Sequence, residues 1–314
     1  MHGAENSLFD LVGIGNPVYD EIVTPWVRTD GRVLSGCSTN ACLAAKKLGV
    51  KKVGLVGCVG RDFSNTFFRD MKEYGIEAKV SISPQTGGFH LIYDEHGNRT
   101  LDVLGVAGNI GPENFPEEFL DSKFLLVGPV LNEIPLALLQ YLRSSSSATI
   151  FLDPQGMVRR IGSDKRIIHT CNKSEISEAV KLVDFVKPNE PEIETIAGEK
   201  DPLVGLQWLH KLKGALPIVT LAERGSIFLD DGKLYRVPAY PTRAIDPTGA
   251  GDVYAGSFIT DYLQSRSPPE AALFASAAAS VKVEQVGPDF QLQLTMVGER
   301  KEAIRARLAV EGFG

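Results

Sequence analysis

The chain has 314 residues, 43% of them hydrophobic and 23% charged, with a formal net charge of -6, ordinary values for a globular protein with a sizeable core. The acidic balance argues against a nucleic-acid surface, which needs clustered Lys and Arg to displace counterions, and no apolar run is long enough to cross a bilayer as a helix. Cys37, Cys42, Cys58 and Cys171 show neither a Cys-x-x-Cys pair nor a zinc spacing, so they read as reduced thiols in a cytoplasmic protein.

Met1 to Ser7 lacks the basic and apolar regions of a signal peptide. Phe9 to Ile14 reads as a buried strand broken at Gly15-Asn16-Pro17. Val18 to Val33, with Asp30-Gly31 at its centre, reads as two short strands around a turn. From Asn40 the run to Leu48 has helical spacing and is stopped by Gly49. Lys52 to Gly57 is a second buried strand, and Phe67, Phe68 and Met71 mark a helix face ending at Gly75. A second hairpin pairs Phe89–Tyr93 with Arg99–Val103 through Glu95-His96-Gly97-Asn98.

Beyond it strands alternate with helices. The strands are Phe124–Val127, Thr149–Leu152, Asp184–Lys187 and Ile218–Leu221. The helices are Ile134–Leu142, Glu190–Ala197, Leu203–Leu212, Gly251–Gln264, Pro269–Val283 and Glu299–Leu308. Such alternation marks right-handed βαβ units and a parallel sheet covered on both faces. No repeat, low-complexity tract or interdomain linker is visible, so residues 1–314 read as one domain. The two early hairpins, about 18–35 and 84–103, are expected to form a small β lid over the end of the sheet where ligands bind.

Asp246-Pro247-Thr248-Gly249-Ala250-Gly251-Asp252 carries the strongest chemical signal. Small residues at three consecutive positions let main-chain N–H groups face an anion, and the helix that follows adds partial positive charge at the same spot. A carboxylate there repels phosphate; it makes sense as a base taking a proton from a hydroxyl that attacks phosphorus. The plainer role for Asp252 is a helix cap.

This heptapeptide resembles the C-terminal signature of the ribokinase-like (PfkB) sugar and nucleoside kinases, and the likeness extends over nearly the whole chain. Ser35-Gly36-Cys37-Ser38-Thr39-Asn40-Ala41 is similar to the family's N-terminal Gly-Gly-x-x-x-Asn-x pattern, with Ser35 in place of the first glycine. Gly13 to Asp20 resembles the family's opening strand, and its Asn-Pro-x-x-Asp spacing is most like adenosine kinases. Lys187-Pro188-Asn189-Glu190-Pro191-Glu192 matches the Asn-x-x-Glu motif. Thr220 to Gly225 resembles the nucleotide-side loop, with Ala222 where glycine is usual.

The resemblance implies a three-layer, doubly wound, mainly parallel α/β sheet, and a kinase moving the terminal phosphoryl group of ATP to a hydroxyl of a sugar-containing acceptor. It makes Asp252 the base and Gly249, Ala250 and Gly251 the anion loop. Acceptor binding falls to Asn16, Asp20, Gly36 and Asn40. Nucleotide binding falls to Asn189, Thr220, Ala222, Gly225 and Gly251. Mg2+ is tied to Glu192 through water, and Asp246 and Thr248 match the place of a monovalent cation such as K+. Nucleoside, free sugar and sugar phosphate stay open as acceptors, the nucleoside being the best single choice, with Phe89 or Tyr19 as a stacking face. ATP or ADP as donor, and a monomer or homodimer, also stay open. Arg28, Arg32 and Arg99 suggest a mildly basic mouth, though solvated edge-strand charges are the favoured reading.

Two rivals rank lower. The Gly13-x-Gly15 pair lacks the third glycine of a dinucleotide fingerprint, and Pro17 sits where its helix would start. A non-catalytic ligand sensor on the same fold has no need of Asp252 and its loop. The five histidines, His2, His90, His96, His169 and His210, show no catalytic spacing.

Overall fold

A computed structural model describes residues 8–95 and 99–313. Met1 to Ser7, with His2, and the His96-Gly97-Asn98 part of the expected second turn lie outside the described residues.

Among the described residues one ten-stranded sheet runs through the molecule. From one edge its order is Glu77–Ser83, Val53–Gly60, Phe9–Ile14, Ser122–Val127, Thr149–Leu152, Phe185–Val186, Leu216–Thr220, Ser226–Asp230, Lys233–Val237 and Ala309–Gly312. The strands through Leu216–Thr220 pair in parallel; the last three add antiparallel. The central strands are continuous apolar runs because both faces are covered: Val53–Gly60 is buried at every position. Helices Cys37–Lys47, Ser64–Tyr74, Ala250–Ser265, Pro268–Lys282 and Leu294–Arg305 pack on one face. Leu136–Ser145, Lys173–Lys181, Glu190–Ala197 and Pro202–Lys211 pack on the other. The result is the expected three-layer α/β architecture.

The small sheet is also present, in the order Val33–Ser35, Val18–Val23, Gly88–Tyr93, Arg99–Gly105. Its two hairpins are joined by a parallel pairing of Val18–Val23 with Gly88–Tyr93, so they form one lid. Val18, Ile22, Phe89, Leu91, Tyr93 and Leu101 give it an apolar underside closed against Cys37 and Val130. A further hairpin, Arg159–Ile161 with Ile167–His169, braces the lid: Val103 N–H donates to Lys165 O at 3.0 Å, and Arg166 pairs with Asp102.

Candidate active site

The site forms at the carboxyl ends of the parallel strands, where such sheets bind ligands. Asn16 follows Phe9–Ile14, Asp153 follows Thr149–Leu152, Lys187 follows Phe185–Val186, and Thr220 ends Leu216–Thr220. Above this edge stands the Asp246–Gly251 loop, the expected anion loop. Gly249 is left-handed (φ 75°) and caps helix Ala250–Ser265, a turn that glycine makes without steric cost. Ala250 N–H closes the turn on Pro247 O at 3.2 Å, and Val253 N–H starts the helix on Gly249 O at 2.8 Å. The N–H groups of Gly251 and Asp252 find no main-chain acceptor among the described residues and remain donors at a helix N-terminus.

Asp252 lies in the first turn of that helix, partly exposed. Its Oδ2 accepts from Asn40 Nδ2 at 2.9 Å. Asn40 reaches it because helix Cys37–Lys47 lies against helix Ala250–Ser265 with backbones nearly touching. A Cβ on Gly256 would lie 2.2 Å from Ala41 O. Gly36 caps the first helix, and a side chain there would strike Asn16 O at 2.8 Å. Cys37 Sγ, an Asp153 oxygen and an Asp252 oxygen all lie within 4.8 Å of one another. Burial, then Asp153, raises the Asp252 pKa against the hydrogen bond from Asn40 and the charge of Lys187. Burial, with both carboxylates adding to it, pushes the Cys37 thiol far up, so it stays protonated.

Lys187 and Asp153 form a fully buried ion pair at 2.8 Å. Burial works against the Lys187 charge, but Asp153 and Glu192 more than offset it and hold the pKa above the ordinary lysine value. A methyl on Gly251 would sit 3.4 Å from Lys187 Nζ, which puts this ammonium under the anion loop. Glu192 is buried at the start of helix Glu190–Ala197; burial and Asp153 push its pKa up. Asn189 and Glu192 make a reciprocal capping box: Asn189 N–H donates to Glu192 Oε2 at 2.9 Å, and Glu192 N–H to Asn189 Oδ1 at 2.9 Å. Asn189 Nδ2 also donates to Glu192 Oε1 at 2.8 Å.

At the end of strand Leu216–Thr220, Thr220 bridges to Asn189 and its N–H donates to Pro188 O at 3.1 Å. Leu221 N–H donates to Gly225 O at 2.7 Å, closing a tight loop. Ala222 takes a left-handed conformation (φ 50°). That explains the usual glycine: a Cβ there costs roughly 1–2 kcal/mol, yet the loop keeps its path. Gly225 (φ 93°) allows no side chain, since a Cβ would lie 2.0 Å from Val237 O.

Under the small sheet, Asp20 is buried on the lid's inner face and accepts from Phe89 N–H at 2.7 Å. Burial pushes its pKa up to about 6, against Ser35, the Phe89 N–H and the Arg159 and Arg32 charges. Asn16 Oδ1 accepts from Cys58 N–H at 2.7 Å and Nδ2 donates to Gly108 O at 2.8 Å, so one amide hydrogen is left over. Tyr19 alternates with Asp20 and faces away. It stacks on Phe63 and donates its hydroxyl to Asp70 at 2.9 Å, so it is no stacking face for a base. Arg32 is pinned to Tyr19 O and Gly87 O, and Arg28 is exposed on the first hairpin. Arg99 lies beside Tyr93, and its charge is felt by Asp252 and Glu192. Tyr93 OH lies 3.1 Å from Thr248 Oγ1, so the lid touches the anion loop directly. Beneath the loop Asp246 is fully buried, with Oδ1 accepting from Thr248 N–H at 2.9 Å.

The family model for pfkB family carbohydrate kinases matches residues 18–294. The chain belongs to that family. It is a phosphotransferase acting on an alcohol group. The cytidine kinase of Thermococcus kodakarensis is 32% identical over 267 residues, 82% of this chain and 90% of its own length. The nucleoside kinase of Methanothermobacter thermautotrophicus is 25% identical over 323 residues, 97% of each chain. A solved structure of a pyrophosphate-dependent kinase in the ribokinase family aligns with a TM-score of 0.79 at 20% identity. The match covers 92% of this chain and 99% of that one, a likeness of fold.

Several residues of this pfkB site escaped the sequence reading. Asp153 stands in no motif, Cys37 was visible only as an unspecified position within Ser35–Ala41, and Lys187 only as the residue before Pro188. A strand-end Asp-Pro, Asp153-Pro154, parallel to the strand-end Lys-Pro, Lys187-Pro188, was the available signal. Arg159 comes from the unread hairpin: it is buried, donates to Val130 O and Gln155 Oε1, and leaves Nε without a partner among the described residues. Buried Glu133 accepts from the N–H groups of Asn16, Val130 and Leu131 and so sets the position of Asn16.

Proposed function

We propose that this pfkB kinase transfers the γ-phosphoryl group of ATP to a hydroxyl of a nucleoside, with Asp252 as general base. One observation carries the chemistry: a carboxylate of raised pKa stands in the first turn of the anion-loop helix, oriented by Asn40, beside free N–H donors and the Lys187 ammonium. Asp252 takes the acceptor's hydroxyl proton. The acceptor oxygen bonds to the γ-phosphorus as the bond to the bridging oxygen breaks, and ADP leaves with that electron pair. The free N–H groups of Gly251 and Asp252, with Lys187, meet the charge on the transferring group. Asn189, Thr220, Ala222 and Gly225 line the nucleotide side, and Asp20, Gly36, Asn40 and the remaining Asn16 amide hydrogen face the acceptor.

Glu192 and Asp153 are buried carboxylates, the hard oxygen donors that magnesium takes, whereas a protonated thiol such as Cys37 is not. Glu192 would hold the ion through water, Asp153 being paired with Lys187, and the ion when bound neutralises phosphate charge.

The Asn16-Pro17-Val18-Tyr19-Asp20 opening and the cytidine kinase and nucleoside kinase relatives support a nucleoside acceptor. A second reading, a sugar phosphate, is favoured by Arg99 and Arg159, two guanidinium groups on the acceptor side with Arg159 Nε unpartnered. A coupled assay over nucleosides, pentoses, hexoses and their phosphates, with ATP, ADP and pyrophosphate as donors, separates them. Nucleoside turnover with ATP is expected; turnover of a sugar phosphate alone would replace the first reading with the second.

A further inference from the structure

The site expected for a monovalent cation is Asp246, at the base of the anion loop. Its oxygens are already committed to a cation of the chain's own. Lys282 Nζ lies 3.1 Å from Asp246 main-chain O, 3.3 Å from Asp246 Oδ2 and 3.3 Å from Gln285 O. An ammonium has three N–H donors, and three acceptors surround it. The rest of Asp246 is committed as well: Oδ1 accepts from Thr248 N–H at 2.9 Å, and Oδ2 also accepts from Gly287 N–H at 3.1 Å. Thr248 Oγ1 donates its hydrogen to Tyr93 OH at 3.1 Å. Both members of the pair are buried, with side-chain exposures of 3% for Lys282 and 0% for Asp246. A soluble monovalent cation sharing these oxygens would sit in contact with a like charge, in a place closed to water. The residues do not fit the ion.

The fold explains the arrangement. Lys282 ends the apolar helix Pro268–Lys282, where a cation complements the helix dipole. Val283 O accepts from both Ile245 N–H, at 2.7 Å, and Asp246 N–H, at 3.1 Å, so the helix end is stitched to the loop base. From there Asp246 fixes Thr248, and the turn through Gly249 presents Gly251 and Asp252.

We infer that the Lys282 ammonium is a built-in replacement for a monovalent activating cation, holding the Asp246–Gly251 loop in its anion-binding shape without a soluble ion. Lys282 touches neither nucleotide nor acceptor; it is a positioning residue. The inference rests on the kinase reading of this loop.

The test exchanges K+ for tetramethylammonium at constant ionic strength. Three quantities are read on the wild-type protein: the calorimetric Kd for MgATP, turnover of the accepted acceptor, and the thermal midpoint. All three are expected to be the same in both salts. A tenfold or larger loss of ATP affinity or turnover without K+, or a midpoint raised by K+, would overturn the inference. In Lys282→Met the loop loses its cation. ATP affinity in tetramethylammonium should fall by about tenfold, within the usual range for coupled sites, and K+ or methylammonium should restore part of it. A folded Lys282→Met protein that binds ATP normally in tetramethylammonium would also overturn it. If that variant does not fold, the wild-type comparison decides alone. A protein that binds no nucleotide in either salt counts against the kinase reading, and the midpoint comparison still decides the role of Lys282.

Discussion

The electrostatics of the site turn on a few buried groups held out of their ordinary ranges. Asp20 has a folded pKa of about 6 against an ordinary value of 3.8. The native state therefore binds that proton more tightly than the unfolded chain, and its contribution to stability falls as pH rises from about 4 to about 6. Thermal midpoints of wild type and Asp20→Asn measured side by side should show wild type losing ground across that window. A difference independent of pH would count against a strained Asp20. Activity runs the opposite way. As the proposed base, Asp252 acts deprotonated, so kcat/KM should fall on the acid side, beginning at a higher pH than for an ordinary carboxylate. Lys187 is the other vulnerable point of the site. Lys187→Met leaves Asp153 buried without its partner, which costs about 3–5 kcal/mol. A denaturation midpoint near wild type would show that water or another cation takes its place. At this scale the sequence was partly legible. Asp252 and the loop could be found because they are contiguous, whereas Asp153, Lys187 and Arg159 meet only when separate strands and a hairpin are brought together.

Among elements, the contact between helices Cys37–Lys47 and Ala250–Ser265 matters most, because it brings Asn40 to Asp252. Gly256 against Ala41 sets its distance. Gly256→Val should destabilise the fold by about 1–3 kcal/mol through overpacking and should also lower kcat by parting Asn40 from Asp252. Lost stability with unchanged kcat would separate the packing from the chemistry. The central strands and most helices could be read from apolar runs and 3.6-residue spacing. Edge strand Glu77–Ser83 was passed over, since only Ser83 among its residues is buried. The hairpin of Ser226–Asp230 with Lys233–Val237 turns at Asp231-Gly232, both with positive φ. That Asp-Gly signal was present and unread. Helix Lys173–Lys181 starts at an Asn172 cap within a polar stretch, and hairpin Arg159–His169 carries too much charge to stand out.

For the whole molecule, the lid is the part expected to respond to ligands. It is held by an apolar underside, by Tyr93 on Thr248, and by the bracing hairpin. Bound acceptor and nucleotide would add contacts from below. Amide exchange in Gly88–Tyr93 and Arg99–Gly105 should therefore slow when both ligands are present, with little change in Ser122–Val127. Equal exchange in the two states would mean a fixed cover. The kinase reading itself is tested most directly by Asp252→Asn, which keeps size and hydrogen bonding but takes no proton. Steady-state kinetics and calorimetric MgATP binding on the same purified variant should give kcat lower by about 10²–10⁴-fold, with nucleotide affinity unchanged or tighter. A near-normal kcat in this variant would contradict Asp252 as the base.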